Sequence, residues 1–191
     1  TLGVASGWLG GRWDNLLMRL VDVVYAFPSF LFFIILVSAL GSTGFGRLLS
    51  GLVLLFVAFA ITGWTGMARL VRGQVLSLRH KEFIEAARSV GVPTSRIVLR
   101  HILPNSLAPI IVSVTFGIPA YILAEAALSY LGIGIQPPTA SWGNMVNEFK
   151  GLIDLNPWFV LMPAALIAFI MLAFTFLGDG LRDALDPQMG K

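Results

Sequence analysis

The sequence predicts an all-α, polytopic membrane protein, and three observations lead to that class. Of the 191 residues, 57% are hydrophobic and only 12% are charged, which is about half the charged share of an ordinary soluble domain. Four almost uncharged stretches each have the length of about 20 residues that a helix needs to cross a bilayer. The basic residues are concentrated between these stretches. We therefore expect a transmembrane helical bundle that forms one domain over residues 1–191.

The candidate spans follow from hydropathy and charge. They cover residues 20–40, 48–67, 106–127 and 158–177. Isolated prolines such as Pro28 are tolerated in membrane helices, because neighbouring groups satisfy the freed backbone carbonyls. A soluble core could account for one such stretch but hardly for four, and none of them alternates as the wall of a β-barrel does.

Residues 1–11 begin directly with apolar and small residues. They lack the basic region and the small-residue cleavage site of a signal peptide. We interpret them as the end of a helix that starts earlier in a longer protein. The expected architecture is therefore about four complete spans and a partial N-terminal span, in a chain truncated at its N-terminus.

The distribution of Lys and Arg predicts the orientation. Seven of the 13 basic residues lie between the second and third spans, and short loops rich in Lys and Arg face the cytoplasm. Counting spans outward from this loop places all but Arg47 and Lys150 on the same side. The sequence thus predicts a cytoplasmic loop over residues 69–104 and an extracytoplasmic loop over residues 128–157. We expect the lipid bilayer, and not a nucleic acid, as the partner of this basic chain.

The cytoplasmic loop contains the start and stop signals of two short helices. Its first half has apolar residues at helical spacing on one side, namely Leu78, Phe83, Ile84, Ala87 and Val90. Gly91 can end this helix in a left-handed conformation, and Pro93 prevents its continuation. Thr94 or Ser95 can cap a second helix, and Pro104 suits the first turn of the next span.

Four consecutive residues of this loop, Glu85, Ala86, Ala87 and Arg88, are the first candidate site. The two alanines would let the helix approach a partner closely, while Glu85 and Arg88 supply directional contacts. Three interpretations stay open on the residues alone. The charges could form a solvated pair worth about 0.2–0.5 kcal/mol, the helix could lie on anionic lipid, or it could dock on a cytoplasmic protein.

Several blocks of the chain resemble one family. The loop resembles the EAA loop of permease subunits in ATP-binding-cassette (ABC) importers, and the matching residues are Glu85, Ala86, Ala87, Gly91, Leu103 and Pro104. His101 stands where that pattern has Ile. The blocks MRLVDVVYAFPSF, GWTGMARLVRGQVLSLR, LAEAALSYLGIGIQPPTASWG and LGDGLRDALDP resemble the C-type permease subunits of dipeptide, oligopeptide and nickel importers. Together these blocks extend over essentially the whole chain.

The resemblance implies a type I ABC importer permease fold and a position in the bacterial or archaeal cytoplasmic (inner) membrane. It also implies that the chain forms half of a translocation pathway for di- or oligopeptides. The implied partners are a homologous second permease, two cytoplasmic ATPase subunits and an extracytoplasmic substrate-binding protein. In this family the EAA loop forms coupling helices on the ATPases, which implies an ATPase-coupling role for Glu85, Ala86, Ala87, Arg88, Gly91, Leu103 and Pro104.

The sequence offers no catalytic machinery of its own. It lacks the phosphate loop G-x-x-x-x-G-K-[ST], so ATP and Mg²⁺ are expected on the ATPase partners and no cofactor is expected in this chain. His80 and His101 lie in the basic loop, away from any plausible nucleophile or second metal ligand. We therefore predict no catalytic, cofactor-binding or metal-binding residue.

Two acidic residues lie within the apolar spans. Glu125 is close to the outer end of the third span, and carboxylates at such depth are costly and often functional. A role in the pathway or in gating is one interpretation, and structural pairing at the helix end is the other. Asp22 is expected to be structural, because Arg19 lies one helical turn away.

The sequence leaves two alternative functions open. The same machinery could import nickel or another small solute, since in this family the binding protein largely selects the cargo. A function of another class is a membrane scaffold that transports nothing and whose basic loop binds lipid or a soluble partner.

Overall fold

The structure is a computed structural model that describes residues 1–46 and 48–185. In these ranges it is helical and contains no strand, which confirms the predicted all-α fold. The α-helices are α1 (Leu2–Leu9), α2 (Gly11–Tyr25), α3 (Ser29–Leu40), α4 (Leu52–Leu78), α5 (Glu82–Ser89), α6 (Thr94–Ile97), α7 (Leu103–Tyr130), α8 (Trp142–Phe149) and α9 (Trp158–Leu185). Short 3₁₀ segments cover Leu48–Gly51 and Lys150–Leu152, and a π-helical turn covers Val98–Ile102.

Three helical segments are long and apolar enough to cross a membrane: Leu48–Leu78, Thr94–Tyr130 and Trp158–Leu185. The helices α2 and α3 meet the same criterion only as a pair, and they are bent by 67° at the break between them. The described residues therefore contain three candidate spans, or four if the bent pair is one span.

The bent pair differs from the continuous helix that we expected over residues 20–40. The first helix ends at Tyr25, and the second begins after Pro28, whose backbone is extended at φ −61° and ψ 122°. Proline has no N–H to donate to the preceding turn, and its ring disfavours a helical conformation in the residue before it. The proline therefore separates two helices here.

The chain divides into two compact units, and each is described by itself. The first unit comprises Thr1–Ala26, Gly63–Val114 and the described part of Gly180–Lys191. Its buried core consists of Val71, Val75, Ile84, Ile97 and Ile102. The second unit comprises Phe27–Thr62 and Thr115–Asp179. Its buried core consists of Phe33, Leu55, Ala58, Leu128 and Ile135.

Most of α9 presents apolar side chains outward. Phe169 and Phe176 are 71% and 72% exposed, and only Pro163 and Gly178 of this helix are buried. Soluble monomeric proteins rarely expose an apolar surface of this extent. It suits a helix whose surroundings are lipid or another membrane-embedded chain.

Candidate functional site

The helix α5 in the predicted cytoplasmic loop follows from local chemistry. Glu82 and Glu85 lie in its first turn and Arg88 in its last turn, so that each charge faces the helix end of opposite polarity. The helix is closed by a Schellman motif, the paired hydrogen bonds typical of a helix that ends in a left-handed residue. The Val92 N–H donates to the Ala87 carbonyl at 3.0 Å, and the Gly91 N–H donates to the Arg88 carbonyl at 3.0 Å.

Gly91 adopts φ +79°, a conformation that costs other L-residues about 1–2 kcal/mol. The chain then turns through Pro93 into α6. The predicted order of helix, glycine turn and helix is confirmed. The caps differ from the expectation, because neither Thr94 nor Ser95 precedes α6. Its N-cap is Pro93, and no side chain caps the helix.

One side of α5 is anchored in the core of the first unit. Ile84 is completely buried and packs in the same cluster as Val75, Ile97 and Ile102. Ala87 packs against the edge of that cluster. Burying one isoleucine side chain stabilises a fold by about 1.5–3 kcal/mol, so this contact holds the loop firmly on the helices beneath it.

The opposite side of α5 is exposed. Its exposed residues are two acids, one arginine, the small Ala86, one serine and two apolar side chains, and the set with the C-cap is Glu82, Phe83, Glu85, Ala86, Arg88, Ser89 and Val90. The expected apolar side with both Phe83 and Val90 is therefore wrong. The helix α4 ends at Leu78 and α5 begins anew at Glu82, so the two do not share one helical register. Phe83 is 45% exposed and Val90 is 80% exposed.

The two charged residues of the candidate motif do not pair with each other. The described residues form two ion pairs, Arg69–Asp22 and Arg72–Asp14, and neither of them involves Glu85 or Arg88. The Arg88 guanidinium instead lies 4.5 Å from the centroid of the Trp8 ring on α1, a distance suited to a cation–π contact. Glu85 is exposed and bears a charge that no described cation neutralises.

Leu103 and Pro104 form the first residues of α7, directly after the π-helical turn. Leu103 is partly buried and Pro104 is exposed. Two contacts link this region to α5: Ile102 packs in the same buried cluster as Ile84, and the rings of Phe83 and His101 are 6.3 Å apart between centroids. The structure thus brings α5, α6 and the start of α7 together in one unit.

Sequence reasoning missed a polar cluster in the first unit. Asp14 on α2 is buried and accepts two hydrogen bonds from Arg72, from Nε at 2.6 Å and from Nη2 at 2.7 Å. The Ser6 hydroxyl donates to the same carboxylate. Bidentate arginine–carboxylate pairs of this kind are among the strongest polar contacts in proteins. They tie α1 and α2 to α4.

The pairing expected for Asp22 is wrong. Its carboxylate accepts a hydrogen bond from Arg69 at 2.7 Å, whereas Arg19, the partner inferred from sequence, is exposed. The Arg69 guanidinium also lies 3.9 Å from the centroid of the Tyr25 ring. One aromatic and one acidic residue of α2 therefore hold Arg69.

A small-residue signal could have revealed how α1 packs. Gly3 and Gly7 are spaced four apart and lie against α4, where an added Cβ would collide with the Ala68 carbonyl oxygen at Gly3 and with the Val75 side chain at Gly7. Such spacing of small residues is typical of close helix packing in membranes. The Gly7 carbonyl also accepts a hydrogen bond from Arg79 at 3.0 Å.

Glu125 lies in the second unit, near the end of α7. It is half-buried, and its Oε1 accepts a hydrogen bond from the Ser129 hydroxyl at 2.6 Å. The Ser129 oxygen in turn accepts the Ile135 N–H at 3.1 Å. Glu125 also lines a cavity of about 460 Å³. Both interpretations of this residue have a structural basis, because it is paired at the helix end and faces a cavity.

Within residues 1–46 and 48–185, no group of three His, Asp or Glu side chains is arranged to hold a metal ion. The described features define a multi-pass helical membrane protein that carries a compact, exposed helical loop.

Comparison with known proteins places this class in a family. The sequence profile of the family described as "Binding-protein-dependent transport system inner membrane component" matches residues 1–191. The chain belongs to this family, which confirms the resemblance to ABC importer permeases that the sequence motifs indicated.

The chain is similar to three curated permease proteins. It is 43% identical over 189 residues to the oligopeptide transport system permease protein OppC of Bacillus subtilis, covering 99% of this chain and 59% of that protein. It is 46% identical over 179 residues to OppC of Escherichia coli K12, covering 94% and 57%. It is 43% identical over 188 residues to the dipeptide transport system permease protein DppC of B. subtilis, covering 98% and 56%. The chain therefore spans less than two thirds of the length of these relatives.

Proposed function

We propose that this chain belongs to the membrane subunit of an ABC importer and contributes to half of a translocation pathway for di- or oligopeptides. In this proposal the loop formed by α5 and α6 docks on a cytoplasmic ATPase subunit and transmits its motion to the membrane helices. The oligopeptide and dipeptide permeases in the comparison support peptide cargo over nickel or another small solute.

The two-sidedness of α5 is the observation that carries the docking proposal. Its inner side is anchored by the buried Ile84, so a force applied to the helix passes into the core that includes Val75 on α4 and Ile102 before α7. Its outer side offers Ala86, which allows close approach, next to the charge of Glu85, for which the described residues supply no ion-pair partner. Charges on a docking surface fix the register and the choice of partner more than the affinity, and Glu85 is placed to act in that way.

The remaining partners follow from the family. The proposed assembly contains a second, homologous permease, two ATPases that bind ATP and Mg²⁺, and an extracytoplasmic binding protein that delivers cargo. We place it in the bacterial or archaeal inner membrane, in accordance with the family's description. The apolar exterior of α9 supports a location in lipid or against the second permease.

The docking proposal can be tested by charge reversal at Glu85 in the full-length protein. Glu85→Arg should abolish co-purification of the ATPase subunit, because it replaces an exposed acid by a longer cation in the centre of the docking surface. The matched control is Glu148→Arg, which reverses another exposed acid on α8, in the predicted extracytoplasmic loop. The amount of ATPase recovered with each tagged permease is the measurement.

The control should retain the ATPase at the wild-type level. Full recovery of the ATPase with Glu85→Arg would contradict the docking role of this face of α5. If the wild-type permease itself recovered no ATPase, the scaffold that transports nothing would replace the importer as the better explanation.

A further inference from the structure

The cavity beside Glu125 is lined by aromatic and aliphatic side chains and one carboxylate. It has a volume of about 460 Å³, in the range of small-molecule binding sites. Four aromatic rings contribute to its wall, those of Phe56, Phe59, Tyr121 and Trp142. Among the described residues that line it, Glu125 is the one with a formal charge.

The Glu125 carboxylate is held in position, but no described residue forms an ion pair with it. Ser129 donates a hydrogen bond to Oε1 and is itself fixed by the Ile135 N–H. No cation of the described residues lies within ion-pair distance of this carboxylate. A carboxylate with largely apolar neighbours is costly unless a positive group or further donors approach it. The site therefore favours a cationic ligand.

The aromatic wall adds a second preference. The rings of Phe59 and Tyr121 are 5.0 Å apart between centroids and tilted by 45°. Aromatic faces attract ammonium groups through the ring quadrupole and accommodate apolar side chains by contact. A ligand that carries an ammonium group next to an apolar body matches both Glu125 and these rings.

We infer that this cavity binds the free N-terminal ammonium group of a peptide at Glu125, with the first apolar side chains of the peptide against the rings of Phe59, Tyr121 and Trp142. The inference rests on the proposed peptide import and deepens it, since it names the part of the cargo that the membrane subunit itself would recognise. It also assigns Glu125 a ligand contact in addition to its bond with Ser129.

The test uses the intact permease–ATPase complex in lipid nanodiscs without the external binding protein, so that binding reports on the membrane subunits alone. The probes are the dipeptide leucyl-phenylalanine and its N-acetylated form, and calorimetry gives the dissociation constants. The wild-type complex should bind the free dipeptide at least about tenfold more tightly than the acetylated one, as expected for one charge-assisted hydrogen bond. Binding should also change the fluorescence of Trp142, and Trp142→Phe should remove that change.

Glu125→Gln removes the charge but keeps an oxygen that can accept the Ser129 hydrogen bond, so the local fold is preserved. It should weaken binding of the free dipeptide at least about tenfold and leave the acetylated form unaffected. The matched control is Glu148→Gln, since Glu148 is an exposed acid of the same unit outside the cavity lining. It should bind both probes as the wild type does.

Equal affinity for the two probes, or unchanged binding by Glu125→Gln, would overturn the inference. Absence of saturable binding to the wild-type complex would overturn it as well. Stimulation of ATP hydrolysis by the peptide-loaded binding protein is measured in parallel. If it persists while the dipeptide does not bind, the importer proposal stands and only the Glu125 site falls.

Discussion

Two acid–arginine pairs join α2 to α4, and their surroundings set their different strengths. The Asp14 side chain is 10% exposed and accepts two hydrogen bonds from Arg72 and one from Ser6. The Asp22 side chain is 58% exposed and meets Arg69 through one hydrogen bond. Water competes little for the first pair and strongly for the second. Breaking a buried ion pair usually costs several kcal/mol of stability, whereas breaking an exposed pair usually costs about 0–1 kcal/mol. We therefore expect the Asp14–Arg72 pair to contribute more to stability than the Asp22–Arg69 pair.

Replacing these acids one at a time should show the difference. Asp14→Ala is expected to destabilise the fold by about 2–4 kcal/mol, because it leaves the Arg72 guanidinium and the Ser6 hydroxyl without their acceptor. Asp22→Ala should cost less than about 1 kcal/mol, as is usual for exposed pairs. The measurement is the free energy of unfolding of the full-length protein in detergent, together with its thermal midpoint. Similar losses for both variants would show that burial does not distinguish the pairs.

The partner of Asp14 could not be predicted from the sequence. Asp14 and Arg72 are 58 residues apart along the chain, and Asp22 and Arg69 are 47 apart. Sequence proximity favours local partners, and for Asp22 it points to Arg19, one helical turn away, instead of Arg69. Only the packing of α1 and α2 on α4 brings the distant arginines to these acids. Gly3 and Gly7 permit this packing, because an added Cβ at either position would collide with α4.

At the scale of the elements, the end of α5 was predictable because its signals are local. A glycine followed two residues later by proline indicates a helix end, and the structure places Gly91 at φ +79° with Pro93 leading into α6. The side of α5 that is buried was less predictable. It depends on where α5 begins, and the turn at residues 79–81 that sets this start carries no strong signal. Phe83 and Val90 were misplaced for that reason.

The role of Gly91 gives a prediction with an internal control. Gly91→Ala should destabilise the protein by about 1–2 kcal/mol, because alanine is strained at positive φ. No neighbouring atom would contact the added Cβ, so the effect isolates backbone conformation. Gly73→Ala, within α4 and likewise in open space, should instead stabilise the helix by up to about 1 kcal/mol.

The comparison requires only the unfolding free energies of the two alanine variants and the wild type. Opposite signs are the expected result. A loss at Gly73 equal to that at Gly91 would show that backbone conformation alone does not account for the effect at Gly91.

At the scale of the whole molecule, the amino-acid composition correctly predicts an all-α membrane protein, but it does not predict the break at Pro28 that makes the number of spans three or four. Three of the four predicted apolar stretches lie in helices long enough to cross a bilayer. The remaining stretch, residues 20–40, is divided between α2 and α3, which are bent by 67° at the break between them. Hydropathy cannot show such a bend, because the bend depends on whether neighbouring groups satisfy the backbone around Pro28. The cavity at Glu125 could not be predicted from the sequence either, because its walls come from segments that are far apart along the chain, such as α4 and α8.

The orientation in the membrane rests on the basic loop and can be checked by thiol labelling. The chain contains no cysteine, so single cysteines can be introduced at two exposed positions without interference from native thiols in this chain. Leu155, 83% exposed, lies in the predicted extracytoplasmic loop, and Ser89 lies at the end of α5. A membrane-impermeant maleimide should label Leu155→Cys in intact cells and Ser89→Cys only after the membrane is permeabilised, because loops rich in Lys and Arg remain in the cytoplasm. Cells without the ATPase partners keep the second site accessible, and the cysteine-free chain gives the background. Labelling of Ser89→Cys in intact cells would place α5 on the extracytoplasmic side, where no ATPase could reach it.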